Sequence, residues 1–512
     1  MMAKKKSKKT TTKPQVKKAP TKEDESLVTF NISKQKNFSE WFTKIVQIAE
    51  LADMRYGVKG FLVYQPWSTI AIKRMFDLYE QELEEFGHNP VIFPSVIPES
   101  NFQVEADHVE GFAPEVFWIS SAGSTGMLEE RLALRPTSET AMYPLYSLWI
   151  RSWRDLPLKL YQSGKVWRYE GKSTRPFLRG REFIWIESHN VFTTMEEAEA
   201  QTREDMQISI NVMHDRFGIP FIQFQRPEWD KFAGAVHTYA ADTLMPDGRF
   251  LQLPSTHLLG DNFSKAFGIN YMDDEGVSHP AYQTCYGPAI SRIFGGMIAV
   301  HGDDSGLIFP FEVAPVQVVI VPILAKKQAT KVKNYAEELR MLVKAMGYRV
   351  QIDASDKRPG DKYYYWEMKG VPIRLEVGRR EAKEDQITIF RRDNREKTII
   401  SKTELEATIK KVGADLNESI KERAQEFFDS RLASAETLNE LVEHIKSRKM
   451  VKIPWCSIDL DGENCAEEIK DQLAGAEVRG IDVQETKIPS KDEKCFICGN
   501  QAKCFVYVGK QY

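Results

Sequence analysis

Apolar positions recur along this chain in two periods, and the changes of period mark out its elements. In "STIAIKRMFDLYEQELEEFG", Ser68 to Gly87, they return every three or four residues, which predicts an amphipathic helix ended by glycine. "PVIFPSVIP" then reads as a strand cut short by its prolines. "KVWRYEGKSTRPFLRGREFIWIE", Lys165 to Glu187, reads as two strands joined by a long Gly/Ser/Thr/Pro loop acting as a flexible lid, with Arg168 and Glu170 on the first strand. "TTMEEAEAQTREDMQISINVMHDRFG" predicts a long helix whose acidic first turn suits the helix dipole. The expected class is α+β, built on an antiparallel sheet.

A dense aliphatic run from Val313 to Ile323, "VAPVQVVIVPI", predicts a strand that opens a second unit. Helix "KNYAEELRMLVKAMG" and strands "YRVQID", "PIRLEVG" and "QITIFRR" follow, an alternation that implies an α/β domain of about 100 residues. Charged helices and a cysteine-bearing tail come after Ser401. With 512 residues the chain exceeds one core, so about three domains are expected.

Composition narrows the class without choosing a function. Apolar content of 42% and charged content of 28% describe a globular protein, and a net charge of -3 leaves nucleic acid neither announced nor excluded. The first 22 residues hold nine lysines and no acid, so residues 1–26 are expected to be a disordered tail. It is either a solubilising extension or a non-specific attractor for a polyanion such as RNA. The tail resembles neither a secretory signal nor a mitochondrial presequence, and no run of 18 apolar residues predicts a membrane span. Five of the six cysteines follow position 455, which fits a reducing cytoplasm better than a disulfide scaffold.

"GKST" invites a phosphate-loop reading, but the first glycine of such a loop would fall at Val166, and the segment joins strands rather than strand and helix. The flanking charges remain. Arg168 can grip a carboxylate or phosphate, and Glu170 can accept from an exocyclic amine; a solvated, salt-bridged hairpin is the alternative. In "RPTSET", Thr137 and Glu139 point to one side of an extended segment and can hold a protonated amine. Gln252, Ser255 and His257 stand on a strand and turn, and Arg292 opens an apolar helix where only an anion makes its charge favourable. Cys495 and Cys498, in a C-x2-C, with Cys456 and Cys465 offer four thiolates for structural Zn²⁺; redox-active or simply buried cysteines are the alternative. Cys504 reads as core.

"RYE…FLRGREF" resembles the second signature motif of class II aminoacyl-tRNA synthetases, "GPAISR" the third, and "ELEEFGHNPVIFPSVIP" the first, which lies at the dimer interface. "HVEGFAPEVFWI", "RPTSETAMYP", "FLRGREFIWIESH", "FAGAVHT", "WEMKGVPIRLEVG", "PWC…CAEEIK" and "GKQY" together resemble the archaeal/eukaryotic-type prolyl-tRNA synthetases, from about residue 35 to 512. The resemblance implies a homodimer that joins L-proline to tRNA(Pro) with ATP and Mg²⁺, through prolyl-adenylate. It implies a catalytic domain at 27–312, an anticodon-binding domain at 313–412 and a zinc-binding domain at 413–512.

Roles follow by the same resemblance. Arg168 would bridge the proline carboxylate and the α-phosphate, Glu170 would approach the adenine amine, and Arg179 would reach the distal phosphates. Phe183 and Arg292 would sandwich adenine, worth roughly 0.5 to 2 kcal/mol. Thr137 and Glu139 would hold the proline ammonium; Trp185, Glu187, His189 and His257 would line the ring pocket. Gln252, Ser255 and Ser291 would meet ribose or phosphates. Glu367, Arg374, Arg380 and Glu381 would read anticodon bases, and the Tyr512 carboxylate would sit near the catalytic site. Two departures touch these roles: Pro254 and Ser255 stand where the family often has Gly and Thr, and "GPAISR" is one residue longer than usual. The 99 residues between Glu187 and Gly287 leave no room for an editing insertion. A catalytically inactive RNA-binding module, or a class II enzyme for threonine, serine or histidine, are the competing readings.

Overall fold

The computed structural model describes residues 30–108, 115–171, 173–324 and 329–512. The lysine-rich tail, part of "HVEGFAP" and Lys172 of "GKST" lie outside the described residues.

Helix α1, Pro66–Glu85, forms where the apolar period predicts it, and Gly87 takes a left-handed φ of 85° just beyond. It buries Ala71, Ile72, Met75, Tyr79 and Leu83 in the largest core. The proline-rich strand is reduced to two fragments, β1 at Asn89–Pro90 and a short piece at Val96–Pro98, because prolines cannot donate to a ladder. Helix α2 spans Glu139–Trp149. The central antiparallel strands are β2 (Leu158–Trp167), β3 (Glu182–Phe192), β4 (Ile222–Gln225), β5 (His237–Leu244), β6 (Phe250–Gly260) and β7 (Tyr282–Gly287). β2 stops at Trp167, so Arg168 and Glu170 lie just past the first strand rather than on it.

Helix α3, Met195–Ser209, is capped by Thr194 with Glu197 and continues as a π-helical turn to Arg216. Helix α4, Ile290–His301, is apolar on nearly every side and buried against the sheet. The second unit has strands β8 (Val318–Pro322), β9 (Val350–Ile352), β10 (Ile373–Val377), β11 (Gln386–Arg391) and β12 (Lys397–Ser401), in the order β9-β8-β10-β11-β12. Only Val318–Pro322 of the predicted Val313–Ile323 strand is a strand. Helix α5, Leu405–Ser430, buries Leu405 and Ile409 in this unit's core and Phe428 beside Phe224 and Phe250 of the first, so it crosses from one to the other.

The last unit adds β13 (Leu432–Ser434), β14 (Met450–Trp455), β15 (Ala476–Asp482) and β16 (Cys504–Lys510). These do not form a separate sheet. β15 pairs with β4 through Ile481–Gln225 and Asp482–Phe224, giving one eleven-stranded sheet in the order β13-β14-β16-β15-β4-β5-β6-β7-β3-β2-β1. The approach is close: a Cβ on Gly480, whose φ is 122°, would stand 2.0 Å from the Gln225 carbonyl oxygen.

Beneath the sheet, α3 buries Asp205, which accepts from Gln201 Nε2 (2.8 Å) and Thr256 Oγ1 (2.6 Å). Burial pushes its carboxyl up to about 7. A raised folded-state value means that stability is full below the unfolded carboxylate range, near pH 4, and declines as pH rises towards 7. Between pH 4 and 8, urea unfolding should therefore shift in favour of Asp205→Asn over wild type by on the order of 3 to 4 kcal/mol.

Candidate active site

Strand alternation supplies the first wall. Phe183, Trp185, Glu187 and His189 occupy every second position of β3 and face one side of the sheet. On β6, Ser255 and His257 face the same side, but Gln252 has the opposite parity. The β5–β6 register resolves this: Ala240 lies opposite Ser255 and Asp242 opposite Gln252, so β6 carries one extra residue at Leu253–Pro254. The bulge turns Gln252 to the site and gives Pro254 a place where the ladder is already interrupted. All three residues thus lie on one bulged strand, not on a strand and a turn.

Thr137 and Glu139 meet by a different route from the expected extended segment. Glu139 is the first residue of α2, and Thr137 Oγ1 donates to Glu139 Oε2 across the helix start. Arg168, just past β2, donates from Nε to the Pro136 carbonyl (3.0 Å) and lies 5.3 Å from the Phe183 ring and 5.4 Å from that of Trp185. Thr137, Glu139, Arg168, Trp185, Glu187, His189 and His257 line one cavity of about 270 Å³, with Ser255 against His257 and with Phe183, Gln252 and Arg292 at its other end.

Arg292, in the first turn of α4, donates to the carbonyls of Leu178 (3.1 Å) and Gln252 (3.3 Å). It and Gln252 also line an adjoining cavity of about 450 Å³, whose wall includes Arg179 and Tyr512. Tyr512 O accepts from Arg179 Nη2 (2.9 Å), and its hydroxyl donates to Asp247 (2.9 Å) while accepting from Arg175 (2.6 Å). Glu170 lies outside the first cavity, 3.9 Å from Arg179. Ser291 is not on the wall: it is buried, with its hydroxyl 3.3 Å from both the amide and the carbonyl of Ile184. The longer "GPAISR" turn therefore ties α4 to β3 through this serine.

The site carries excess positive charge at its Arg292 end. Burial, then the charges of Arg168 and Arg179, bring the Arg292 guanidinium down to about 10, and burial lowers Arg168 too. At the other end, Glu187 Oε2 faces His189 Nε2 at 3.2 Å. Burial opposes charge on both, but their pairing, with help from Arg135 and Ser138 for the acid, holds Glu187 below and His189 above their ordinary values. Burial, with the positive charges of His189 and Arg168, pushes His257 down to about 3, so it stays neutral; Thr238 and Ser255 hydroxyls contact its two nitrogens.

Several supports were passed over in the sequence. Ser138 Oγ and Gln162 Nε2 donate to Glu187 Oε1, so Glu187 spends much of its carboxylate on shaping the pocket. Cys285 lies opposite both His189 and His257 across neighbouring strands and lines the cavity. Arg226 Nη2 donates to Gln252 Oε1 at 3.2 Å. The available signal was weak: Cys285 is a thiol in the strand "YQTCYG", and Arg226 sits among other polar residues in "FQRPEW".

In the second unit, Arg374 is buried between the rings of Tyr363 and Phe390, 4.0 and 3.9 Å from their centres, and is paired with Glu367 (2.8 Å) and Glu376 (2.9 Å). Arg380 is exposed, and Glu381 accepts from the Gly378 amide at 2.9 Å. In the third unit, the thiols of Cys456, Cys465, Cys495 and Cys498 all lie within 4.8 Å of one another, and Cys456 and Cys465 stand 3.8 Å apart. That separation is close to the ~3.8 Å edge of a tetrahedron with Zn–S bonds near 2.3 Å, so the donor set fits the metal. Cys504 is apart from this set, 3.8 Å from the Trp455 carbonyl oxygen.

Comparison with known proteins identifies the family. Residues 117–301 match the tRNA synthetase class II core domain (G, H, P, S and T), 317–412 an anticodon binding domain, and 438–512 the prolyl-tRNA synthetase C-terminal domain. A proline–tRNA ligase of Thermofilum pendens is 51% identical over 486 residues, covering 94% of this chain and 98% of that protein. The solved prolyl-tRNA synthetase of Giardia lamblia in complex with prolyl-adenylate superposes with a TM-score of 0.90 at 36% identity, over 94% of this chain and 100% of that one. The Cryptosporidium parvum enzyme complexed with L-proline and AMP does so with a TM-score of 0.88 at 33% identity, over 97% and 99%. With its class II core, its anticodon-binding unit and its characteristic C-terminal unit all matched, the chain belongs to the prolyl-tRNA synthetases.

Proposed function

We propose that the two joined cavities hold proline at one end and ATP at the other, and that they make prolyl-adenylate before proline passes to the terminal ribose of tRNA(Pro). The observation that carries this is the position of Arg168. It stands between the Thr137–Glu139 pair and the Phe183–Arg292 end, where one guanidinium can touch both the amino-acid carboxylate and the α-phosphate. Glu139 and Thr137 receive the proline ammonium; the neutral His257 and Trp185 enclose the ring. Attack of the carboxylate on the α-phosphorus expels pyrophosphate and needs no covalent enzyme intermediate, so positioning and charge stabilisation supply the catalysis. The repulsion among Arg168, Arg179 and Arg292 is relieved when the triphosphate arrives, with Mg²⁺ bound to its phosphates. Ser255 faces the ribose side, whereas Ser291 serves by fixing α4. Arg179, beside Glu170 and Tyr512, reaches the distal phosphates.

The complexes of the Giardia lamblia enzyme with prolyl-adenylate and of the Cryptosporidium parvum enzyme with L-proline and AMP support the adenylate step here, and the anticodon binding domain match supports tRNA as the acceptor. We further assign anticodon reading to Glu367, Arg380 and Glu381, with the saturated Arg374 orienting Glu367. Cys456, Cys465, Cys495 and Cys498 hold Zn²⁺, which with four protein ligands supplies structure only. A homodimer is supported by Ile92 of the first-motif segment, 97% exposed, and by the exposed Leu148 and Trp149 at the end of α2, the latter packed on Phe93 of that segment. Free thiols suit a reducing cytoplasm, and no helix among the described residues is long and apolar enough to cross a membrane.

Proline-dependent exchange of pyrophosphate into ATP tests the reaction, and absence of exchange by the folded chain would refute it. Arg168→Ala should lower exchange by at least about a hundredfold. Metal analysis should find one zinc per chain. Cys495→Ser should lower both zinc content and thermal midpoint, by a loss on the order of several kcal/mol. Ile92→Glu should shift light-scattering mass from dimer towards monomer.

A further inference from the structure

We propose that Arg479, on β15 of the C-terminal unit, is a positioning residue for the nucleotide end of the active site, acting through Asp242 and Arg226 on Gln252. The proposal rests on reading that cavity as the ATP site. It adds to it a buried chain of contacts that begins outside the class II core.

Asp242 has no exposed surface, and both carboxylate oxygens are used: Oδ1 accepts from Arg226 Nη2 (2.7 Å) and Oδ2 from Arg479 Nε (2.8 Å). Arg226 also donates from Nη1 to the Arg479 carbonyl oxygen (2.8 Å), so the two arginines are locked to each other as well as to the acid. The same Nη2 that meets Asp242 reaches Gln252 Oε1 at 3.2 Å. With its oxygen engaged, the Gln252 side chain, which lines both cavities, keeps its NH₂ as a donor for ligand acceptors, as ribose and phosphate oxygens require. Arg292 donates to the backbone oxygen of the same residue, which fixes Gln252 at both ends.

Charge supports the direction of action. Burial alone would raise the Asp242 carboxyl, but the two guanidiniums overcome it and hold it below the usual carboxylate range. Two arginines share this one fully buried acid; the half-exposed Asp230 lies 3.9 Å from each, and Glu477 lies 3.5 Å from Arg479 alone. If Arg479 withdraws, Asp242 can take more of Arg226, and the hold on Gln252 loosens. A structural role alone would cost stability without selecting ATP over proline. A positioning role predicts that selectivity.

The test is steady-state pyrophosphate exchange by the full chain, with the Michaelis constants for ATP and proline measured separately. Arg479→Lys should raise KM for ATP about fivefold to tenfold and leave KM for proline within about twofold. Gln252→Ala should raise KM for ATP, and adding Arg479→Lys to it should cause no further increase. Equal changes in both constants, multiplicative effects in the double variant, or an unchanged KM for ATP would overturn the relay. Should Arg479→Lys lose its melting transition, hydrogen exchange on the wild-type chain decides. A non-hydrolysable ATP analogue should slow exchange across Val478–Asp482 at least about twofold, and no change there would count against the proposal. Failure of the ATP-site reading looks different: the wild-type chain itself would then show no proline-dependent exchange, and the relay would fall with it.

Discussion

One carboxylate, Asp242, settles how the catalytic sheet and the C-terminal unit are joined. Burying three charges is costly, and the cost is offset only when each is paired and hydrogen-bonded. Here the pairing can be completed only if β15 lies against β4, because Arg479 is carried on β15 and Arg226 lies just beyond β4. The strand pairing itself is short, two residues, so the ion cluster and the glycine that permits the close approach define its register. From that junction the β5–β6 bulge follows directly, since Asp242 faces Gln252 across it. The placement of Gln252 on the cavity wall is thus tied to the junction through Arg226.

The two ends of the cavity obey opposite electrostatic logic. At the Glu187 end, Glu187 and His189 neutralise one another and are held by Ser138, Gln162 and Tyr143, which gives a wall of fixed shape. At the Arg292 end the guanidiniums of Arg168, Arg179 and Arg292 repel each other and are held in place by carbonyl acceptors and ring faces. On the proposed placement of proline and ATP, the site is rigid where it would measure a small ring and frustrated where it would attract a polyanion.

Much of this was legible in the sequence. The resemblance of "FLRGREFIWIESH" to its family named Phe183, Trp185, Glu187 and His189, which the strand sets on one wall, and the cysteine spacing announced a four-thiol cluster. The remainder depended on information that no local pattern contains. Gln252 shares a face with Ser255 only because of a one-residue bulge, and a bulge is a property of the register between two strands. Thr137 and Glu139 meet at a helix start, although their spacing also suits an extended segment. Arg374 looks like a base reader in sequence, yet two aromatic rings and two acids surround it, because β10 is a central strand of its sheet. Asp242 and Arg479 lie 237 residues apart, the first alone among neutral residues of its strand and the second between Glu477 and Asp482, and nothing in either run names the other.

The continuous sheet also changes what a boundary near residue 413 means. In sequence it looks like a place to cut, with a long charged helix following. In space, a fragment ending there would keep β4 and lose β15, leaving the backbone of Ile222–Gln225 as a bare edge and the Asp242–Arg226 pair short of a guanidinium. A bare edge invites pairing with another copy. The expected behaviour of such a catalytic fragment is self-association through β4, so for this chain the C-terminal unit acts as a built-in guard against aggregation.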